Sequence, residues 1–188
     1  TYGEAANAQL TFGGKLEQDT IVVTYRYFKD EAQVGEDNVC PTEVGVYTVT
    51  ASISNANYCF AEEKMSQTTD YKITPKTLTV AVTDQTVVYG EELGKWTISA
   101  EGWAYKEETA YEAGFIAALQ NGISHSYRAG SPVLEGGYTA TISTPELGEW
   151  TKNYTFEYNG GSGKATINVE KRKITVTIDN KTSVYGDA

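Results

Sequence analysis

The chain has 188 residues, of which 40% are hydrophobic and 21% charged, so it belongs among folded globular proteins of one or two ordinary domains. A net charge of −10 without any Lys/Arg cluster excludes nucleic acid and anionic membrane surfaces as partners, because both require basic stripes. No apolar run approaches the roughly 20 residues of a membrane span, so membrane insertion is not expected either.

Read in order, the chain repeats one short phrase: Tyr2-Gly3-Glu4, Tyr89-Gly90-Glu91 and Tyr185-Gly186-Asp187. Repetition at this period sets the architecture. The phase predicts two units cut from a longer array. The first spans 1–75 and lacks its opening strand, the second spans 76–171, and 172–188 is the opening strand of a third. Units of this size bury a core of their own, so folding needs neither disulfide nor metal.

In the first unit, Ile21-Val22-Val23-Thr24-Tyr25-Arg26-Tyr27 has the composition of a strand, and a polar loop from Lys29 to Asn38 follows. Next come Pro41–Thr50, a Gly-x-Tyr-Thr turn opening an alternating strand, then Asn57-Tyr58-Cys59-Phe60 and the strand Tyr71-Lys72-Ile73. The second unit returns to these landmarks. Pro132–Thr141 matches Pro41–Thr50 at an offset of 91, and Asn153-Tyr154-Thr155-Phe156 matches Asn57–Phe60 at 96. Ile167-Asn168-Val169 with Ile174–Ile178 matches Tyr71–Ile73 with Leu78–Val82, again at 96. Apolar residues alternate with Thr in these segments, which predicts strands with one buried face.

Between the landmarks the units diverge. Thr109-Ala110-Tyr111-Glu112 reads as a capping box. Tyr111, Phe115, Ala118 and Leu119 share one helical face, and Asn121-Gly122 stops it. A helix over about 110–120 is therefore expected, and only in the second unit. The fold class is mainly β: two tandem small β domains, the second a sheet with one helix on it, the first without a clear helix.

The succession of Thr-rich strand, Val-Tyr-Gly-Glu/Asp turn, Gly-x-Tyr-Thr, Asn-Tyr and Ile/Val strand resembles the MBG ("mostly beta-grasp") repeats of bacterial surface proteins. The second unit resembles them through its helix. The first resembles their Ig-like relatives through Pro41–Thr50. The resemblance implies a secreted or wall-attached bacterial protein whose modules form tandem stalks and adhesive regions. It implies no catalytic residues, and no enzyme activity is expected.

The chemistry-bearing residues agree. His125 is the sole histidine and has no flanking nucleophile signature, so a strand or loop histidine is expected. One His and two distant Cys form no zinc set. Asp30-Glu31 and Glu36-Asp37-Asn38 lack calcium-loop spacing, and Gly160-Gly161-Ser162-Gly163-Lys164 lacks that of a phosphate loop. No metal and no cofactor are expected. Cys40 and Cys59 stand where the second unit has Ser131 and Thr155. A Cys40–Cys59 bridge and two free thiols both remain open, the alignment favouring thiols.

Aromatics offer the alternative function. Trp103, Tyr105, Tyr127 and Trp150 lie in the second unit, and such rings either anchor a core or stack on sugars. A host or cell-wall glycan or protein would be the ligand. Finally, 173–184 alternates like a strand without a partner, and it is expected to pair with the first unit of a neighbouring molecule.

Overall fold

The computed structural model describes residues 1–186. Its strands arise where Thr and β-branched residues alternate. In the first half, β1 (Val23–Lys29), β2 (Ala32–Val34), β3 (Gly45–Ile53) and β4 (Ser66–Ile73) form an antiparallel sheet in the order β2-β1-β3-β4. The loop expected over Lys29–Asn38 is in part a hairpin. Asp30 and Glu31 both have positive φ (49° and 67°), as a two-residue type I′ turn requires, and β2 folds back on β1.

The second half contains β5 (Lys76–Val82), β6 (Gln85–Val88), β7 (Ile98–Glu101), α1 (Glu107–Gly122), β8 (Ser124–His125), β9 (Tyr138–Thr141), β10 (Tyr154–Tyr158) and β11 (Lys164–Glu170). One sheet runs β10-β5-β7 and another β6-β11-β9-β8. β5 lies parallel to β10, and β6 parallel to β11. Thus the chain is mainly β, with three sheets and one α-helix among the described residues.

The aligned positions coincide in register. Tyr47 faces Tyr71 across β3–β4, and their counterparts Tyr138 and Ile167 face each other across β9–β11. Tyr27 faces Val49 as His125 faces Ala140. Both halves therefore share a three-stranded antiparallel arrangement, β1-β3-β4 in one and β8-β9-β11 in the other.

The helix begins three residues earlier than Thr109-Glu112 would place it. Tyr105 and Lys106 turn the chain left-handed (φ 49° and 66°), and the Glu107 N–H donates to Ala104 O at 2.8 Å. That reversal closes the first turn, so Thr109 sits inside the helix and caps nothing. Glu107 and Glu108 in the first turn suit the positive end of the helix dipole. The apolar face is as expected: Phe115 and Leu119 are fully buried, Tyr111 stacks on Trp150 at 4.9 Å, and the helix stops at Gly122. Gln120 pins the other end through hydrogen bonds to the Trp96 backbone.

Leu78, Val80, Val87, Ala140, Ala165 and Ile167 fill the space between the sheets and Phe115. Tyr2, Tyr47 and Ile73 of the first half extend this cluster. Residues 174–178 depart from expectation, for they form no strand. Ile174, Val176 and Ile178 are 81%, 74% and 87% exposed, whereas their counterparts Leu78, Val80 and Val82 are 0%, 0% and 4% exposed. The reason is that β5 lies between β10 and β7, whereas among the described residues no strand pairs with 174–178.

Phe115 touches Trp103 and Trp150 edge-on and Phe156 face-on, and it is closed off from water. Phe115→Ala is expected to cost about 3–5 kcal/mol of unfolding free energy, measured by urea titration. A loss below about 1 kcal/mol would mean that α1 does not hold the core.

Candidate functional site

The aromatic candidates do not converge. Trp103 and Trp150 pack on each other at 5.6 Å and, together with Phe115 and Tyr154, form the helix–sheet core. Tyr127 is buried and donates to Glu91 O. Tyr105 alone is more than half exposed, and its ring lies edge-on against Tyr2. Cys40 and Cys59 are both free, and Cys40 Sγ lies 2.9 Å from Tyr71 Oη.

His125 borders a cleft of about 630 Å³ with Lys95, Trp96, Gln120 and Arg128, which has no Ser, Thr or Cys in its wall. Its Nδ1 is buried without a partner. Among the described residues no cluster of three His, Cys, Asp or Glu side chains is arranged for a metal. Asp37, in the acidic loop, is instead gripped by Arg26 through two bonds of 2.9 Å, which hold its carboxyl below the usual range.

The built site lies where the two halves meet, and the repeated motifs make it. Tyr2 of the first Tyr-Gly-Glu phrase donates its N–H to Thr74 O at 2.9 Å and sends its ring into the second half. The ring is 3% exposed and stands edge-on between Tyr105 (5.2 Å) and Tyr154 (5.5 Å). Its hydroxyl donates to Glu107 Oε1 at 2.7 Å, while Tyr154 donates to Glu107 Oε2 at 2.5 Å. The Ala104 N–H in turn donates to the Tyr154 hydroxyl at 2.8 Å. One carboxylate thus holds one phenol from each half.

Gly3 is required twice over. Its φ of +79° disfavours any side chain, and a Cβ there would stand 2.7 Å from that of Ala104. Beside this contact, Asn153 is the buried polar side chain of the core. Its Oδ1 accepts from the Val44 N–H at 3.1 Å, and its Nδ2 donates to Glu43 Oε2 at 2.7 Å. Both its faces are therefore satisfied by the first half, as burial demands.

Tyr-Gly-Glu and Asn-Tyr stand out in the sequence as recurrent phrases, but their meeting across the units is a tertiary fact with no local signal. The capping-box pattern Thr109-Ala110-Tyr111-Glu112 points to a helix start beyond Glu107, so this residue is not marked as functional by the sequence. A trace existed in the exposed-looking acidic pair at 107–108, which a helix dipole favours.

Burial first, and the Glu107 carboxylate second, push the Tyr2 and Tyr154 phenols above the usual value of 10. A phenol raised on folding contributes stability below its unfolded pKa and loses it as pH climbs through the folded value. Absorbance at 295 nm should therefore show these two tyrosines ionising after the exposed ones, together with loss of the junction. Tyr2→Phe should cost about 2 kcal/mol at neutral pH and less at pH above 10. An equal cost at both pH values would show that the phenol–carboxylate bond is not formed.

Comparison with known proteins bears on the second half. Residues 78–162 match the model of the MBG domain (YGX type), with Tyr89-Gly90-Glu91 inside the matched stretch. No curated protein and no solved structure gives a significant match. MBG domains are structural repeat modules of bacterial surface proteins. The stretch that matches the MBG domain of the YGX type thus lies within the sheet-and-helix half, from β5 to just beyond β10.

Proposed function

We propose that the chain is a non-catalytic spacer from a secreted or wall-attached bacterial surface protein, built of tandem units at 1–75 and 76–171 with 172–188 beginning another. The observation that carries this reading is the latch of Tyr2, Glu107 and Tyr154 beside Asn153 and Glu43, which couples one unit to the next. A stalk conveys position and force only if its joints resist bending. Here the short Thr74-Pro75-Lys76 connection is reinforced by a buried aromatic plug.

Strand directions support the same role. In the second unit β6, near its start, lies parallel to β11, its last strand. Tension applied at opposite ends of a parallel pair shears it, so the ladder bonds between Gln85–Val88 and Ile167–Glu170 bear load together instead of unzipping singly. Display of the array for adhesion is part of this proposal, and its working elements are shape and reach.

The test is mechanical coupling. The intact chain is expected to unfold in one cooperative transition. The pair Tyr2→Ala with Asn153→Ala should lose roughly 3–5 kcal/mol and separate the unfolding of the halves. Calorimetry would show two peaks in place of one, and small-angle scattering a larger radius of gyration. Two independent transitions in the unaltered chain would refute the spacer reading.

A further inference from the structure

The first unit contains a second copy of the latch, whose carboxylate holds one phenol among the described residues where Glu107 holds two. In the filled one, the Ala104 N–H donates to the Tyr154 hydroxyl, which donates to the carboxylate of Glu107 three residues after Ala104. In the first unit, the Leu16 N–H donates to the Tyr58 hydroxyl at 3.2 Å, which donates to the carboxylate of Asp19 three residues after Leu16. Tyr58 and Tyr154 are counterparts in the Asn-Tyr phrase. Glu107 has a second oxygen, and it receives Tyr2. Asp19 has a second oxygen as well, and among the described residues Oδ1 receives nothing.

The knob is duplicated too. Tyr89 is the counterpart of Tyr2, and its N–H donates to Glu170 O at 2.8 Å as that of Tyr2 does to Thr74 O. The turn after it is the same: Glu91 N–H to Val88 O and Glu4 N–H to Thr1 O, both 3.0 Å. Yet Tyr89 is 44% exposed where Tyr2 is 3% exposed. Knob and empty socket lie on different units of one chain.

We propose that a second copy of this chain docks head to tail, its first unit receiving Tyr89 and the 172–184 strand of the copy before it. This rests on the spacer reading and names the partner of its junction surface. Tyr89 donates its hydroxyl to Asp19 Oδ1 of the second copy and lies edge-on to Tyr58 there, as Tyr2 does to Tyr154. The side chain of Asn57 meets the backbone N–H of Glu135, counterpart of Val44. Residues 172–174 run parallel beside Tyr58–Phe60, next to which no strand lies among the described residues, in the register that sets Lys76–Leu78 beside Tyr154–Phe156. Ile174, Val176 and Ile178 leave water in the process. Such an interface is heterologous, so an open row of copies keeps one knob and one socket free at its ends.

The test uses sedimentation of the 188-residue chain from micromolar to millimolar concentration. Mass is expected to grow beyond two copies with no fixed stop. Tyr89→Ala combined with removal of 172–188 leaves only a socket, and Asp19→Ala with Asn57→Ala leaves only a knob. Each should stay at one copy, at least about tenfold weaker in self-association. Mixed, they should give one-to-one pairs and nothing larger. Near-ultraviolet dichroism checks folding, and because Tyr89 and the tail are exposed, the first variant decides the matter if the second misfolds. A chain of constant 20.5 kDa at all concentrations overturns the proposal. So does association that neither variant weakens. Neither outcome touches the intrachain latch, whose own test is the coupled unfolding of the two halves.

Discussion

A single carboxylate shared between two buried phenols decides how the halves of this chain meet. Moving a charge towards a low-dielectric interior is costly unless hydrogen bonds replace its water. Glu107 obtains two, from Tyr2 of one half and Tyr154 of the other. Withdrawing Tyr2 would strip one donor from the carboxylate and expose an apolar ring at once, so electrostatic and hydrophobic penalties fall on the same movement. That coincidence gives the joint a definite geometry where a flexible linker would leave many. Gly3 permits it, since no other residue fits against Ala104 in a left-handed turn.

The device does not depend on the helix that supplies it. At Glu107 the carboxylate stands in the first turn of α1, while at Asp19 it stands in an irregular segment before β1. What recurs is a backbone N–H and a carboxylate three residues apart, both satisfied by one tyrosine hydroxyl. A phenol suits this role because it accepts from the amide and donates to the carboxylate simultaneously. The second half adds a helix to that arrangement, and with it Phe115, Leu119 and the Trp103–Trp150 cluster. The first half has instead Tyr27, Val49, Ala51 and Ile53 on one face of β1 and β3.

Strands that alternate Thr with apolar residues were legible in the sequence because each local pattern matches its burial, as at Thr77–Val82 and Thr166–Val169. The helix was legible through Phe115 and Leu119, but its start was not. Two left-handed residues, Tyr105 and Lys106, carry no reliable local signature, and the tempting Thr109–Glu112 pair belonged to the helix interior. The β1–β2 hairpin hid for the same reason, since Asp30-Glu31 is an unusual pair for a type I′ turn. The 174–178 segment has full strand propensity and no strand, which shows how far a strand depends on its neighbours. The junction was half legible: its phrases recur visibly, while their partnership emerges only when Tyr2 and Glu107, 105 positions apart, meet.

Identical chemistry need not give identical strength. Within the chain, Thr74-Pro75-Lys76 ties knob and socket together, so closure works at the high effective concentration of a short linker. Between chains that advantage is absent. The side contacts differ as well: Asn153 binds the carboxylate of Glu43, whereas the position matching Glu43 is Leu134 and the carboxylate shifts one residue on, to Glu135. The intrachain joint is accordingly the tighter of the two, and the proposed contact between copies depends on concentration.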